Sequence, residues 1–213
     1  MQTCAGGETS GPASSGLSLA RLHREIRACT ACVDAGLLPV AAPVVAGRRG
    51  DRIMIVGQAP GAVEVTTRVP FSGRAGAELR RWLARAGIGP DELPYRTSVT
   101  KCFPGKAVAG AGDRVPSPAE VALCAPWLEA ELALLRPAVI LPVGLLAIRR
   151  LWGPGPLATI IGRSRRSPER ANALLIPLPH PSGASRWLND PANRRLLDRA
   201  LEILAQARRG LDG

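Results

Sequence analysis

Aromatic side chains make up only 3% of this 213-residue chain, and histidine occurs twice. No apolar run approaches the roughly 20 residues needed to cross a bilayer, and no charged stretch followed by an apolar one opens the sequence. The two latter absences exclude a membrane span and a secretory leader as expectations, so a soluble, cytoplasmic protein is expected. Acidic residues are also scarce, 17 against 28 Lys and Arg, which leaves a formal charge of +11. Cysteine is present five times, an odd number. Without a secretory leader, that count argues for metal binding or catalysis over a disulfide framework.

The positive balance is the footprint of a polyanion binder, with nucleic acid as the leading partner. Arginine far outnumbers lysine, so a protein basic only for solubility is the alternative that composition alone leaves open. The length and a 46% hydrophobic content suffice for one sizeable core and suggest one domain. Residues 1–16, rich in Gly, Ser, Thr and Pro, read as a disordered tail that contains Cys4. Residues 17–209 read as the folded domain.

Four short apolar runs without strict alternation read as buried strands at 52–56, 95–100, 138–143 and 174–178. Helical patterns lie at 17–28, 75–86, 117–135 and 145–152, with a last helix to about residue 208. Ser117-Pro118-Ala119-Glu120 carries a capping box with Pro in the first turn, Asp190-Pro191 repeats the N-cap and Pro signal, and Gly87 is placed to stop a helix. Alternating strands and helices predict an α/β fold: a mainly parallel four-stranded sheet covered by helices on both faces, a three-layer αβα sandwich. Ligands of such sheets sit beyond the carboxyl ends of the strands. Four unusual stretches fall there: Gly57–Gly61, residues 98–102, Gly144, and His180-Pro181-Ser182.

Cys29 and Cys32 have the spacing of a ligand pair, and Cys102 and Cys124 could complete four thiolates. Spacing does not choose between zinc and an iron–sulfur cluster, and buried inert thiols are the alternative for either of the later two.

Taken together, GQAPGAVE with VPFSGRAGAEL, TSVTKC, DRVPSPAEVALC and HPSGASR resemble, in order, the motifs of the family 4 uracil-DNA glycosylases. The resemblance spans residues 20 to 205. It implies the uracil-DNA glycosylase fold, a [4Fe-4S] cluster on Cys29, Cys32, Cys102 and Cys124, with structural zinc as the alternative, and an enzyme that extrudes uracil or a related deaminated base from DNA and hydrolyses its N-glycosidic bond. A monomer acting on DNA in the cytoplasm is implied. The chain departs from the family pattern at three positions: Gln58 replaces a Glu, Ser98 an Asn whose carboxamide reads the uracil edge, and Asp113 another Asn. About six extra residues precede Asp113. Gln58 and Ser98 motivate a second reading, a protein that keeps the fold and cluster but only binds damaged or abasic DNA without cutting the bond.

Hydrolysis of that bond leaves negative charge on the departing base, which donors must meet. His180 is the expected donor to the base O2, with Gln58 and Glu64 as further catalytic candidates and Asp113 as a second carboxylate that could orient water. His23, on the first helix, reads as structural. Gly57, Gln58, Ala59 and Pro60 would line the base pocket with backbone donors, and small residues allow that approach. Phe71 is expected to stack on the flipped base, and Ser98 to face its edge. Ser72, Gly73 and Arg74 at a helix start, with Ser182 and Arg186 in the last motif, are the expected DNA contacts. The basic run 162–170 reads as a solvated face.

Overall fold

The structure, a computed structural model, describes residues 18–108, 112–182 and 186–212. The expected disordered tail, Cys4 included, lies outside them.

Ser18 caps α1 (Leu19–Arg27) by accepting the Arg21 amide, and a single turn, α2 (Ala31–Asp34), follows. The first strand, β1 (Ile53–Gly57), is buried along its whole length and leads through α3 (Ala62–Thr67) to α4 (Arg74–Arg85). Gly87, at φ +82°, ends α4 as the sequence predicts. Next come β2 (Tyr95–Ser98) and α5 (Pro118–Leu135), whose start is the expected capping box: Ser117 Oγ accepts the Glu120 amide and Glu120 accepts the Ser117 amide. The chain continues through β3 (Val139–Pro142), α6 (Leu145–Leu151), α7 (Leu157–Ile160), β4 (Arg165–Ser167) and β5 (Ala173–Leu175). Asp190 accepts the Ala192 amide at the head of α8 (Pro191–Asp212).

The sheet order is β2-β1-β3-β5-β4, parallel except for the last pair. Alternation along β1 sends Ile53 and Ile55 to one face, against Leu79 and Leu83 of α4 and Leu201 and Leu204 of α8. Met54 and Val56 point to the other face, against Leu128 and Leu132 of α5. Two cores, one on each side, make the expected three layers, and each fully buried aliphatic side chain contributes about 1.5–3 kcal/mol of transfer free energy.

The count of four strands is corrected to five. The basic run 162–170 holds the antiparallel edge strand β4, paired with β5 from Arg165↔Leu175 to Ser167↔Ala173. Its Arg165 and Arg166 are exposed, as the reading of a solvated face expects. Charges on an edge strand also discourage pairing with another chain.

Candidate active site and cysteine pocket

The parallel order of β2, β1 and β3 brings their carboxyl ends to one rim, where Gly57 pairs with Ser98 and Val143 bridges Leu178. Around that rim lies a cavity of about 320 Å³ that gathers the Gly57–Gly61 turn, Glu64, Phe71, Ser98, Asp113 and His180. Gly73, Arg74 and Lys106 reach it as well.

Phe71 sits over the end of β1 with its backbone in the left-handed region, φ +57°. A Cβ on Gly57 would lie 2.7 Å from the Phe71 ring, and one on Gly76 would lie 1.7 Å from the Phe71 carbonyl. Two glycines therefore make room for one phenylalanine, on its ring side and on its backbone side. Arg80 donates to that same carbonyl at 3.1 Å.

His180 Nδ1 accepts the Ser182 amide at 3.2 Å, which leaves the ring proton on Nε2 as a donor. Burial pushes the imidazole below its ordinary value, against the Asp113 charge that raises it. The ring is thus held neutral. Gly144, at φ +84°, allows the ring to pack close: a Cβ there would stand 3.0 Å from His180 Cδ2.

Ser98 is 6% exposed and donates its hydroxyl proton to the Thr100 carbonyl at 2.7 Å. Its oxygen can accept from a ligand while its proton stays within the protein. The Gln58 carbonyl accepts the Thr100 amide, and the Gln58 side chain makes no hydrogen bond among the described residues.

Glu64 has both oxygens engaged. Oε2 accepts the Gly61 amide at 3.1 Å and Oε1 the Gly73 amide at 3.3 Å, so the carboxylate ties the first turn to the loop after Phe71. The Glu64 carboxylate makes the return half of a capping box to the Gly61 amide; glycine has no side chain to supply the other half. The Gly73 amide expected to meet phosphate is the one that Glu64 occupies, and Ser72 Oγ bonds Thr67 Oγ1 at 2.6 Å. Arg74 is exposed and lies between the base-side cavity and a neighbouring one lined by Ser182 and Asn189. Arg186, exposed itself, opens a turn of helix after the last motif whose Trp187 and Leu188 pack on the core, and it does not reach the first cavity.

Lys106 forms an antiparallel bridge with Asp113, the Ala107 amide bonds the Gly112 carbonyl, and Lys106 Nζ lies 2.7 Å from Asp113 Oδ1. Sequence reasoning did not single out Lys106, though it is one of two lysines in the chain.

The second pocket is lined by Cys29, Cys32, Cys102 and Cys124, brought together by α2, the loop after β2 and α5. Among the described residues no three Cys, His, Asp or Glu side chains form a group able to hold a single ion. The surroundings fit a group that accepts hydrogen bonds at sulfur. Trp127 Nε1 donates to Cys29 Sγ at 3.3 Å, the Lys101 amide donates to Cys124 Sγ at 3.1 Å, and Thr100 Oγ1, on the pocket wall, is buried without a partner among the described residues. Burial pushes the Cys124 thiol up to about 12 and raises Cys102 and Cys32 as well. Only a bound cation would hold Cys32, Cys102 and Cys124 as thiolates at neutral pH.

Residues 45–205 match the model of the uracil DNA glycosylase superfamily. The chain is 33% identical over 135 residues to the type-4 uracil-DNA glycosylase of Pyrobaculum aerophilum, covering 63% of this chain and 65% of that protein. It is 34% identical over 127 residues to the type-4 enzyme of Thermotoga maritima, covering 60% and 62%, and 35% identical over 135 residues to that of Archaeoglobus fulgidus, covering 63% and 64%. The alignments thus span a little under two thirds of each relative. Because the matched stretch holds the whole sheet and every residue around the rim cavity, this chain belongs to the uracil DNA glycosylase superfamily.

Proposed function

We propose that this protein removes uracil, or a related deaminated base, from DNA by hydrolysing the N-glycosidic bond, leaving an abasic site. The observation that carries the reading is the convergence of the Gly57–Gly61 turn, Phe71, Ser98 and a neutral His180 on one cavity. The flipped base stacks on the Phe71 ring. His180 Nε2–H donates to the base O2 as negative charge develops there, and a donor so placed contributes about 2.7–4 kcal/mol to the transition state. Ser98 Oγ accepts from a base N–H. Arg74, Ser182 and Arg186, with the overall charge of +11, serve the phosphates of the DNA partner.

Cys29, Cys32, Cys102 and Cys124 are the proposed ligands of a [4Fe-4S] cluster, with structural zinc as the alternative. When bound, the cluster supplies a cross-link between three chain segments. The protein acts as a monomer in the cytoplasm, close to the nucleoid. No helix among the described residues is long and apolar enough to cross a membrane.

The test is incubation of the purified protein with single- and double-stranded oligonucleotides containing uracil, followed by alkaline cleavage. Strand breaks at uracil are expected. Intact strands from protein that carries its cluster would move the assignment to another damaged base, or to binding without excision.

A further inference from the structure

The rim cavity offers two carboxylates for the attacking water, Glu64 and Asp113, and both approach Gly61 on the side its Cβ would occupy. A Cβ on Gly61 would lie 2.8 Å from Glu64 Oε2 and 3.1 Å from Asp113 Oδ2. The two are chemically unequal. Glu64 Oε2 and Oε1 each accept a backbone amide that ties the loops of the site together. Asp113 has Oδ1 held by Lys106 at 2.7 Å, and Oδ2 accepts nothing among the described residues. It lies at the solvent-open mouth of the cavity, close enough for its charge to act on His180.

We propose that Asp113 is the catalytic carboxylate that orients and deprotonates the attacking water, that Lys106 is its positioning residue, and that Glu64 is structural. The inference rests on the glycosylase reading and deepens it. In the step, the water oxygen forms a bond to C1′ of the deoxyribose while the bond from C1′ to the base nitrogen breaks. The bonding pair leaves with the base, whose O2 is met by His180 Nε2–H. The proton lost by the water passes to Asp113 Oδ2 and from there to solvent. The carboxylate also faces a sugar that becomes positively charged, the charge pairing such a transition state requires. Removal of a positioned base of this kind costs typically about 100- to 10,000-fold in rate.

Two measurements test this. In single-turnover excision of uracil, D113N is expected to lose at least about 100-fold with DNA binding retained. K106M is expected to lose about tenfold, with recovery in K106R. E64Q is expected to lose thermal stability together with activity. In binding assays, the wild type is expected to prefer DNA carrying a cationic pyrrolidine in place of the abasic sugar over DNA carrying neutral tetrahydrofuran, and D113N is expected to abolish that preference alone.

Excision by D113N within about threefold of wild type would overturn the inference and leave the glycosylase reading standing. So would a larger loss in E64Q than in D113N at unchanged thermal stability. A wild type that excises no deaminated base yet prefers the cationic analogue through Asp113 would uphold the carboxylate's role and sink the substrate assignment. Absence of both activity and preference would sink both.

Discussion

Lys101 Nζ lies 2.6 Å from Glu131 Oε2, with the two side chains 2% and 0% exposed. The ammonium spends its other protons on Thr97 Oγ1 and the Ser98 carbonyl, each at 2.7 Å. Glu131 also accepts from Tyr95 and Thr97, and Tyr95 in turn meets His23. Since the Lys101 amide donates to Cys124 Sγ, one residue joins the cysteine pocket to the wall of the base cavity.

Removing one member of this pair leaves an uncompensated buried charge, which costs about 3–5 kcal/mol. Lys101→Met and Glu131→Leu are each expected to destabilise by that order. The double substitution is expected to cost far less than their sum. Chemical denaturation of the three variants, closed as a double-mutant cycle, checks this.

Both histidines are held neutral by burial, their ionisation moved below the ordinary 6.5. Below pH 6.5 the unfolded chain binds protons that the folded chain does not, so stability is expected to fall as pH drops from 6.5 toward the folded values. With His23 and His180 the only histidines, imidazole resonances in NMR are readily assigned, and neither is expected to titrate at 6.5. Asp113→Asn is expected to lower the His180 value further, because the Asp113 charge opposes the effect of burial. A His180 that titrates at its ordinary value would contradict the neutral donor.

Gly57→Ala is expected to weaken base recognition by displacing the Phe71 ring, since the new methyl would fall 2.7 Å from Cζ. If the proposed stacking role holds, Phe71→Ala is expected to cost about 1–3 kcal/mol per base, or roughly 5- to 150-fold in binding. In Phe71→Ala the Gly57→Ala penalty is expected to vanish. The four affinities for uracil-containing single-stranded DNA decide it, and additive effects would separate the glycine from the ring.

Cys102→Ser and Cys124→Ser are expected to yield protein without iron, inorganic sulfide or visible absorption, whereas Cys4→Ser is expected to retain all three. By analogy with removal of a native cross-link, loss of the group is expected to cost about 2–5 kcal/mol of stability. Metal analysis and thermal melts of the purified variants provide the measurement. Full iron content in Cys102→Ser would remove that thiol from the ligand set.

The central strands and the location of the site were legible because each apolar run ends at an unusual stretch, and parallel strands bring those ends together. Ser117, Gly87 and Asp190 announced helix boundaries through local chemistry that tertiary packing had no reason to override. The edge strand Arg165–Ser167 was illegible: three residues, two of them exposed arginines, carry no apolar pattern and pair only because β5 offers an edge. Burial of Lys101 was equally hidden, since its partner Glu131 lies 30 residues away. The resemblance favoured Glu64 as a catalytic candidate, while its bond to the Gly61 amide went unannounced, because glycine has no side chain to complete the capping box. Lys106 stayed unnoticed because its partner Asp113 lies seven residues on, across a Gly- and Ala-rich stretch whose composition does not advertise the pairing.

The cysteine pocket also sets an order of events during synthesis. Cys29 and Cys32 leave the ribosome early, yet the wall they face is completed only when Cys102 and then Cys124 have emerged. At that moment β3 and β5 have not yet emerged and His180 follows later still. A nascent chain halted shortly after α5 would therefore carry all four thiols of the pocket but not His180, so the residues of the cysteine pocket are complete before those of the rim cavity.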